Sequence, residues 1–152
     1  MLAERDLTVV NDGTHEVIGA AIEVHKHLGP GLLESVYESC LCRELKDRGI
    51  PFRRQAPLRV IYKGQTIDDD RLRMDIIVRD RIVVEVKAVD KLLPIHDAQL
   101  LTYMKLSGMS IGILFNFNVI AIKNGLRRLV LGLDESAWPP ANLPGGRSSR
   151  SW

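Results

Sequence analysis

The sequence predicts a mixed α/β domain in which helices pack against one sheet. Two segments with helical spacing of apolar residues come first, β-branched strands fill the middle, and a third helix precedes a strongly apolar strand. The order is therefore helix, helix, three strands, helix, two strands. The 152 residues, 45% hydrophobic and 26% charged, are typical of one globular domain. We expect that domain at residues 1–133 and a Pro-, Gly- and Ser-rich tail at 134–152.

The two N-terminal helices are predicted from apolar stripes bounded by end signals. In "THEVIGAAIEVHKHLG" the stripe includes Ile18, Ile22 and Leu28, and Gly29 marks the end. The stretch "GLLESVYESCLCRELKDRG" repeats the pattern and ends at Gly49, which Pro51 follows.

The centre and the C-terminal part alternate between strand and helix patterns. "APLRVIYKGQTI" predicts a strand that turns at Lys63-Gly64, and residues 71–90, "RLRMDIIVRDRIVVEVKAVD", predict a hairpin. "LPIHDAQLLTYMKLSG" returns to helical spacing and ends at Gly108. "SIGILFNFNVIAI" predicts a buried strand, and "KNG" predicts a turn into a last strand, "LRRLVL".

Composition excludes several classes of function. No apolar run approaches the roughly 20 residues that cross a bilayer, and the N-terminus does not resemble a secretory signal, so we expect a cytoplasmic protein without membrane contact. The net charge of +2 is too small for a protein that coats nucleic acid, and we interpret the pair Arg53–Arg54 as solvated surface. Cys40 and Cys42 are isolated thiols, and their spacing does not predict a zinc site.

Three charged residues, Asp75, Glu85 and Lys87, interrupt the apolar hairpin. Glu85 and Lys87 are two apart, so their side chains leave one face of the strand, while Val84 and Val86 leave the other toward the core. A three-residue loop at 79–81 would place Asp75 opposite Glu85, whereas a two-residue loop would place Asp75 opposite Val86. A joint role of the charges therefore predicts the three-residue loop or a bulge.

Adjacent carboxylates on a rigid sheet repel each other, and a divalent cation relieves the repulsion. Mg²⁺ and Mn²⁺ bind to one or two carboxylates together with water and substrate phosphate. Lys87 could then orient or deprotonate the attacking water or offset charge on a phosphate. This set suits phosphodiester hydrolysis. The alternative is an exposed sheet face with an ordinary Glu–Lys pair.

The predicted helices add further candidates. Gln99 and Tyr103, four residues apart on the third helix, share a face and could position a phosphate or a bound water. Glu34 lies at the edge of the apolar stripe of the second helix, where a metal site would give it a partner, and Tyr37 shares its face. We expect Tyr37 to help position substrate. His96 begins the third helix and could either serve the helix end or contact the site.

Several motifs together resemble a known family. "GPGLLESVY" contains G-x-x-E-x-x-Y, as Gly31, Glu34 and Tyr37, and "EVHKHLGPG", "EVKAV", "HDAQLLTYMKLSG" and "LFNFNV" accompany it. From about residue 13 to residue 130 the chain resembles the GxxExxY proteins. That family is similar to the PD-(D/E)xK nuclease superfamily near the RecB-like exonucleases, whose Q-x-x-x-Y helix matches Gln99 and Tyr103.

The resemblance implies an α/β fold with a restriction-endonuclease-like core: helix, three-stranded antiparallel meander, helix and strand. An extra N-terminal helix and a C-terminal strand would complete it. The resemblance also implies that Asp75, Glu85 and Lys87 form the D…E-x-K signature and that Glu34 is the additional acid. The proline that precedes the aspartate in the superfamily signature is Met74 here.

The sequence therefore predicts a Mg²⁺- or Mn²⁺-dependent nuclease, with DNA favoured over RNA as substrate. Glu34, Asp75, Glu85 and the carbonyl of Val86 would hold the metal, and Lys87 would act on the attacking water. The alternatives are a catalytically silent module that binds nucleic acid or protein on the same fold, and a purely structural subunit. At 17.1 kDa the chain offers a small surface to a nucleic acid, which makes a homodimer a reasonable expectation.

Overall fold

A five-stranded mixed sheet with helices on both faces forms the centre of the molecule. The computed structural model describes residues 13–67 and 70–132. The helices and strands, in chain order, are α1 His15–Leu28, α2 Glu34–Asp47, β1 Phe52–Pro57, β2 Val60–Tyr62, β3 Gln65–Ile67, β4 Arg73–Val78, β5 Ile82–Lys87, α3 Pro94–Ser107, β6 Ile111–Asn116 and β7 Leu126–Val130. The predicted tail at 134–152 lies outside the described residues. Among the described helices, none is both long and apolar enough to cross a membrane.

The strand order of the sheet is β1-β4-β5-β6-β7. Strands β1, β4 and β5 pair antiparallel, which gives the predicted three-stranded meander. Strand β6 pairs parallel with β5, and α3 makes the crossover between them, as a parallel connection requires. The last strand, β7, adds to β6 in antiparallel pairing.

The first strand of the meander is not the one that the sequence predicted. The predicted strand around Leu58 to Tyr62 supplies β2, which pairs only with β3 in a separate hairpin. The turn at Lys63-Gly64 is as predicted, and both residues have the positive φ that a tight hairpin turn needs. The meander instead begins with β1, whose sequence, "FRRQAP", lacks apolar alternation because β1 is an exposed edge strand.

Both faces of the sheet are covered. Val84 and Val86 pack with α1 and α2, as predicted, together with Ile76 and Val78 of β4. The opposite face packs against α3 through a second buried cluster, which includes Ile77, Val83, Leu100, Met104 and Leu114. Glu85 therefore points into a helix-covered face, so the alternative of an exposed Glu–Lys pair does not hold for this residue.

In the segment after β6, the backbone at Gly125 packs closely against the backbone of Asn116. A Cβ atom on Gly125 would clash with the backbone oxygen of Asn116, so only glycine fits there. Asn116 is itself buried, and its side-chain amide exchanges hydrogen bonds of 3.0 and 2.9 Å with the backbone of Val89. The loops after β5 and β6 are thereby joined at the end of the sheet that carries Lys87.

Candidate functional site

Asp75 and Glu85 lie side by side where the backbone pairing of β4 and β5 ends. The loop at 79–81 pairs Val78 with Ile82, which is the register that the charged residues predicted. Beyond the pair Ile76–Val84, backbone N–H groups donate hydrogen bonds to side-chain carboxylates instead of to backbone carbonyls. The N–H of Asp75 donates to Oε2 of Glu85 at 2.9 Å, and the N–H of Val86 donates to Oδ2 of Asp75 at 2.8 Å.

Each of these hydrogen bonds fixes one carboxylate to the backbone of the neighbouring strand. Strand β4 is also irregular here, because Met74 and Ile77 pack in the same cluster although strict alternation would separate them. The irregularity lies at Asp75, where the pairing of β4 with β1 is interrupted between Ile76–Arg54 and Met74–Ala56.

Burial makes this pair costly to ionise. Glu85 is only 3% exposed, and burial, followed by repulsion from Asp75, raises the pKa of Glu85 from 4.5 to about 8. Burial also raises the pKa of Asp75 from 3.8 to about 6, against the opposing effect of the Val86 N–H and with repulsion from Glu38 and Glu34. Two desolvated, adjacent carboxylates that share a site favour either a proton or a hard cation between them.

A line of hydrogen bonds joins Lys87, two residues after Glu85, to α3. Nζ of Lys87 donates to Oε1 of Gln99 at 3.1 Å, and Nε2 of Gln99 donates to the hydroxyl of Tyr103 at 3.1 Å. Gln99 and Tyr103 share a helix face, as their spacing predicted. The charges of Lys87 and of the carboxylate pair lie close enough that Lys87 lowers the pKa of both acids, against the larger effect of burial. The five residues therefore form one connected set.

Glu34 lies at the exposed mouth of the site. It begins α2 and lines a cleft of about 580 Å³ with Asp75. Within residues 13–67 and 70–132, no three His, Cys, Asp or Glu side chains lie close enough together to form a metal-binding cluster. The three predicted acids are thus not assembled into one cluster, because Glu85 is buried while Glu34 is exposed at the mouth of the cleft that Asp75 lines.

The donor chemistry nevertheless fits a hard divalent cation. The buried pair offers carboxylate oxygens, and the repulsion within it is what a cation would relieve. Val86 contributes its N–H to Asp75, and its carbonyl stays a predicted ligand.

A polar group that the sequence pattern did not predict is formed by Glu38, Arg54 and Gln55. Glu38 is 6% exposed and accepts hydrogen bonds from Nε of Arg54 at 2.6 Å and from Nε2 of Gln55 at 3.0 Å. Gln55 has a φ of 52°, which is strained for a residue other than glycine in a strand. Glu38 follows Glu34 by four residues, so helical spacing could have found it. Arg54 and Gln55 could not be placed beside Glu38, because β1 was not predicted as a strand.

Tyr37 and His96 have structural partners. Tyr37 is fully buried; its hydroxyl donates to the oxygen of Gly29 at 2.6 Å and accepts the N–H of Leu32 at 3.1 Å. This burial does not fit the predicted contact with substrate; Tyr37 holds the loop between α1 and α2. Nδ1 of His96 accepts the N–H of Leu93 at 2.9 Å, so His96 serves the helix end, the first of its two predicted roles.

The fold agrees with a comparison against protein families. A family model described as the PD-(D/E)XK nuclease superfamily matches residues 11–129. No match was found among curated proteins or among solved structures. The mixed five-stranded sheet between helices is consistent with the predicted restriction-endonuclease-like fold. The match covers most of the 152 residues, and the chain therefore belongs to the PD-(D/E)XK nuclease superfamily.

Proposed function

We propose that the protein is a Mg²⁺- or Mn²⁺-dependent nuclease that hydrolyses phosphodiester bonds in DNA. Membership of the superfamily indicates a nuclease at the level of class. The observation that carries the proposal further is the buried pair Asp75–Glu85, whose carboxylates accept hydrogen bonds from backbone N–H groups of β4 and β5. Lys87 follows Glu85 by two residues on the same strand. A surface ion pair would not need this burial or this backbone support.

In this proposal Asp75 and Glu85 hold the cation, with the carbonyl of Val86 as a further ligand and Glu34 approaching from the mouth of the cleft. A bound cation would polarise a phosphate oxygen and lower the pKa of a water molecule. The rigid attachment of both carboxylates to the sheet keeps the donor oxygens in place without reorganisation.

Lys87 acts on the nucleophile or on the phosphate. Its ammonium group is held by Oε1 of Gln99, and Gln99 is held in turn by Tyr103. The ammonium group can donate further hydrogen bonds, to an attacking water or to a phosphate oxygen on which charge develops. Gln99 and Tyr103 therefore position Lys87 and, through it, the phosphate.

The test is cleavage of labelled DNA by the full-length chain with Mg²⁺ or Mn²⁺ and with EDTA. We expect metal-dependent cleavage, and we expect Lys87→Ala to lower kcat by about 100-fold or more. Lys46→Ala, which removes an exposed lysine from the last turn of α2, is the matched control and should cut normally. Equal cleavage by the Lys87→Ala variant would remove Lys87 from the mechanism.

If no cleavage is observed, binding measurements distinguish between the remaining interpretations. Metal and DNA binding without turnover, over several DNA and RNA substrates, would favour the silent binding module on the same fold. Binding of neither metal nor nucleic acid would refute the proposed function.

A further inference from the structure

Arg54 is the one cationic side chain among the described residues that line the cleft beside Asp75. The other charged residues in that lining, Glu34, Glu38 and Asp75, are all acidic. A phosphodiester that enters the cleft would meet their negative charge before it reached Lys87. A cation at the cleft wall is therefore what an anionic substrate would need.

The guanidinium group of Arg54 is held firmly on its protein side. Its Nε donates to Oε2 of Glu38 at 2.6 Å, and its Nη2 donates to Oγ of Ser39 at 3.0 Å. Gln55 holds the same Glu38 carboxylate from the next position of β1, at 3.0 Å to each oxygen. Glu38 is buried and thus provides a fixed anchor rather than a mobile surface partner.

The outer part of Arg54 remains accessible. Its side chain is 40% exposed, and no described residue accepts a hydrogen bond from Nη1. An arginine that is fixed on one edge and exposed on the other presents a planar set of donors that matches the geometry of a phosphate. Holding the side chain in advance reduces the conformational entropy lost on binding.

We propose that Arg54 binds a backbone phosphate of the nucleic-acid substrate and that Glu38 is the positioning residue that orients it. The proposal rests on the proposed function, since it names a substrate contact of the same site. It differs from a purely structural role, in which the Arg54–Glu38 pair would only fasten β1 to α2.

The test measures binding of a short labelled DNA duplex in Mg²⁺ by the full-length chain carrying Lys87→Ala, so that cleavage does not interfere. Arg54→Gln in this background should weaken binding about tenfold or more, the usual effect of removing a charge-assisted hydrogen bond. The slope of log K against log salt should become shallower by about 1, as expected for one lost phosphate contact.

Two further variants separate charge from orientation. Arg54→Lys should restore the salt slope but only part of the affinity, because lysine keeps the charge and loses the planar donors. Glu38→Gln should leave the slope unchanged and weaken binding, because Arg54 stays but loses its anchor. In the enzyme with Lys87, Arg54→Gln should raise KM more than it lowers kcat.

Arg53 supplies the matched control. It precedes Arg54 on β1 and pairs with Asp80 in the β4–β5 loop at 2.9 Å, with its side chain 57% exposed. Arg53→Gln removes the same charge outside the cleft and should change neither the affinity nor the slope. If Arg54→Gln unfolds the chain, the double variant Glu38→Gln/Arg54→Gln removes the unpaired buried charge and keeps the measurement possible.

The outcomes distinguish the two proposals. Normal binding and an unchanged slope in a folded Arg54→Gln variant, or in the double variant, would overturn the role of Arg54 and leave the nuclease proposal standing. An equal loss of affinity in the Arg53→Gln variant would also overturn it, because the effect would then be one of overall charge. If the Lys87→Ala chain binds no DNA and the chain with Lys87 cuts none, both proposals fall together.

Discussion

The buried carboxylate pair makes a specific prediction about stability without metal. Burial raises the pKa of Glu85 from 4.5 to about 8, so between these values the folded state keeps a proton that the unfolded state has lost. The contribution of Glu85 to the free energy of unfolding is therefore fully present below pH 4.5 and is lost as the pH rises through 8. Asp75, shifted from 3.8 to about 6, acts in the same direction over the lower part of that range.

The perturbation that isolates this effect is Glu85→Gln. Glutamine resembles the protonated acid, and its oxygen can still accept the N–H of Asp75. Each tenfold change in proton affinity corresponds to about 1.4 kcal/mol, so the rise of this pKa from 4.5 to about 8 corresponds to a loss on the order of 4 kcal/mol in the wild type by pH 8. The variant should match the wild type near pH 4.5 and exceed it in stability near pH 8.

The assay is urea unfolding in EDTA, followed by circular dichroism at several pH values from 4.5 to 8. Added Mg²⁺ should raise the stability of the wild type near pH 8 and have little effect on the variant, because a ligand stabilises only the state that binds it. The control is Asp47→Asn, which removes an exposed surface pair with Arg43 and should change stability by only about 0 to 1 kcal/mol. A Glu85→Gln variant with the same pH slope as the wild type would refute the claim that Glu85 is desolvated and held protonated.

Two further substitutions test structural contacts outside the carboxylate pair. Tyr37→Phe removes the hydroxyl bonds to Gly29 and Leu32 and should lower the free energy of unfolding by about 1 to 3 kcal/mol in urea titrations; an unchanged midpoint would show that these bonds add nothing. Gly125→Ala forces a methyl group against the Asn116 carbonyl and should cost about 2 kcal/mol or more in the same assay, and wild-type stability there would contradict the close approach.

Part of the site geometry could be predicted from the alternation of strand residues. The three-residue loop at 79–81 fixes the register of the hairpin as far as the pair Ile76–Val84, and alternation places Glu85 and Lys87 on one face. Asp75 then meets Glu85 through side-chain hydrogen bonds, where β4 becomes irregular. The spacing of Gln99 and Tyr103 likewise sufficed to put both on one side of α3. Strand alternation and helix spacing are local properties, so they can be predicted from the sequence pattern.

The remaining features depend on contacts between distant segments. Strand β1 was missed because its edge position leaves arginines where a central strand would have apolar residues. Arg54 was therefore interpreted as solvated surface, and Gln55 was not singled out. The burial of Glu85 arises from α3 covering a face that the pattern left open to solvent. Tyr37 shares a helix face with Glu34, but the pattern could not show that its ring stacks on Phe117, with 4.7 Å between centroids, inside the core.

The central claim is that Asp75 and Glu85 bind a divalent cation. The most direct measurement is the anomalous scattering of a crystal of the full-length chain soaked in Mn²⁺, with an Asp75→Asn crystal treated in the same way. We expect a Mn²⁺ peak within coordination distance of both carboxylates in the wild type and none in the variant. A crystal saturated with Mn²⁺ that shows no ion at these two side chains, or shows ions only elsewhere, would contradict the claim.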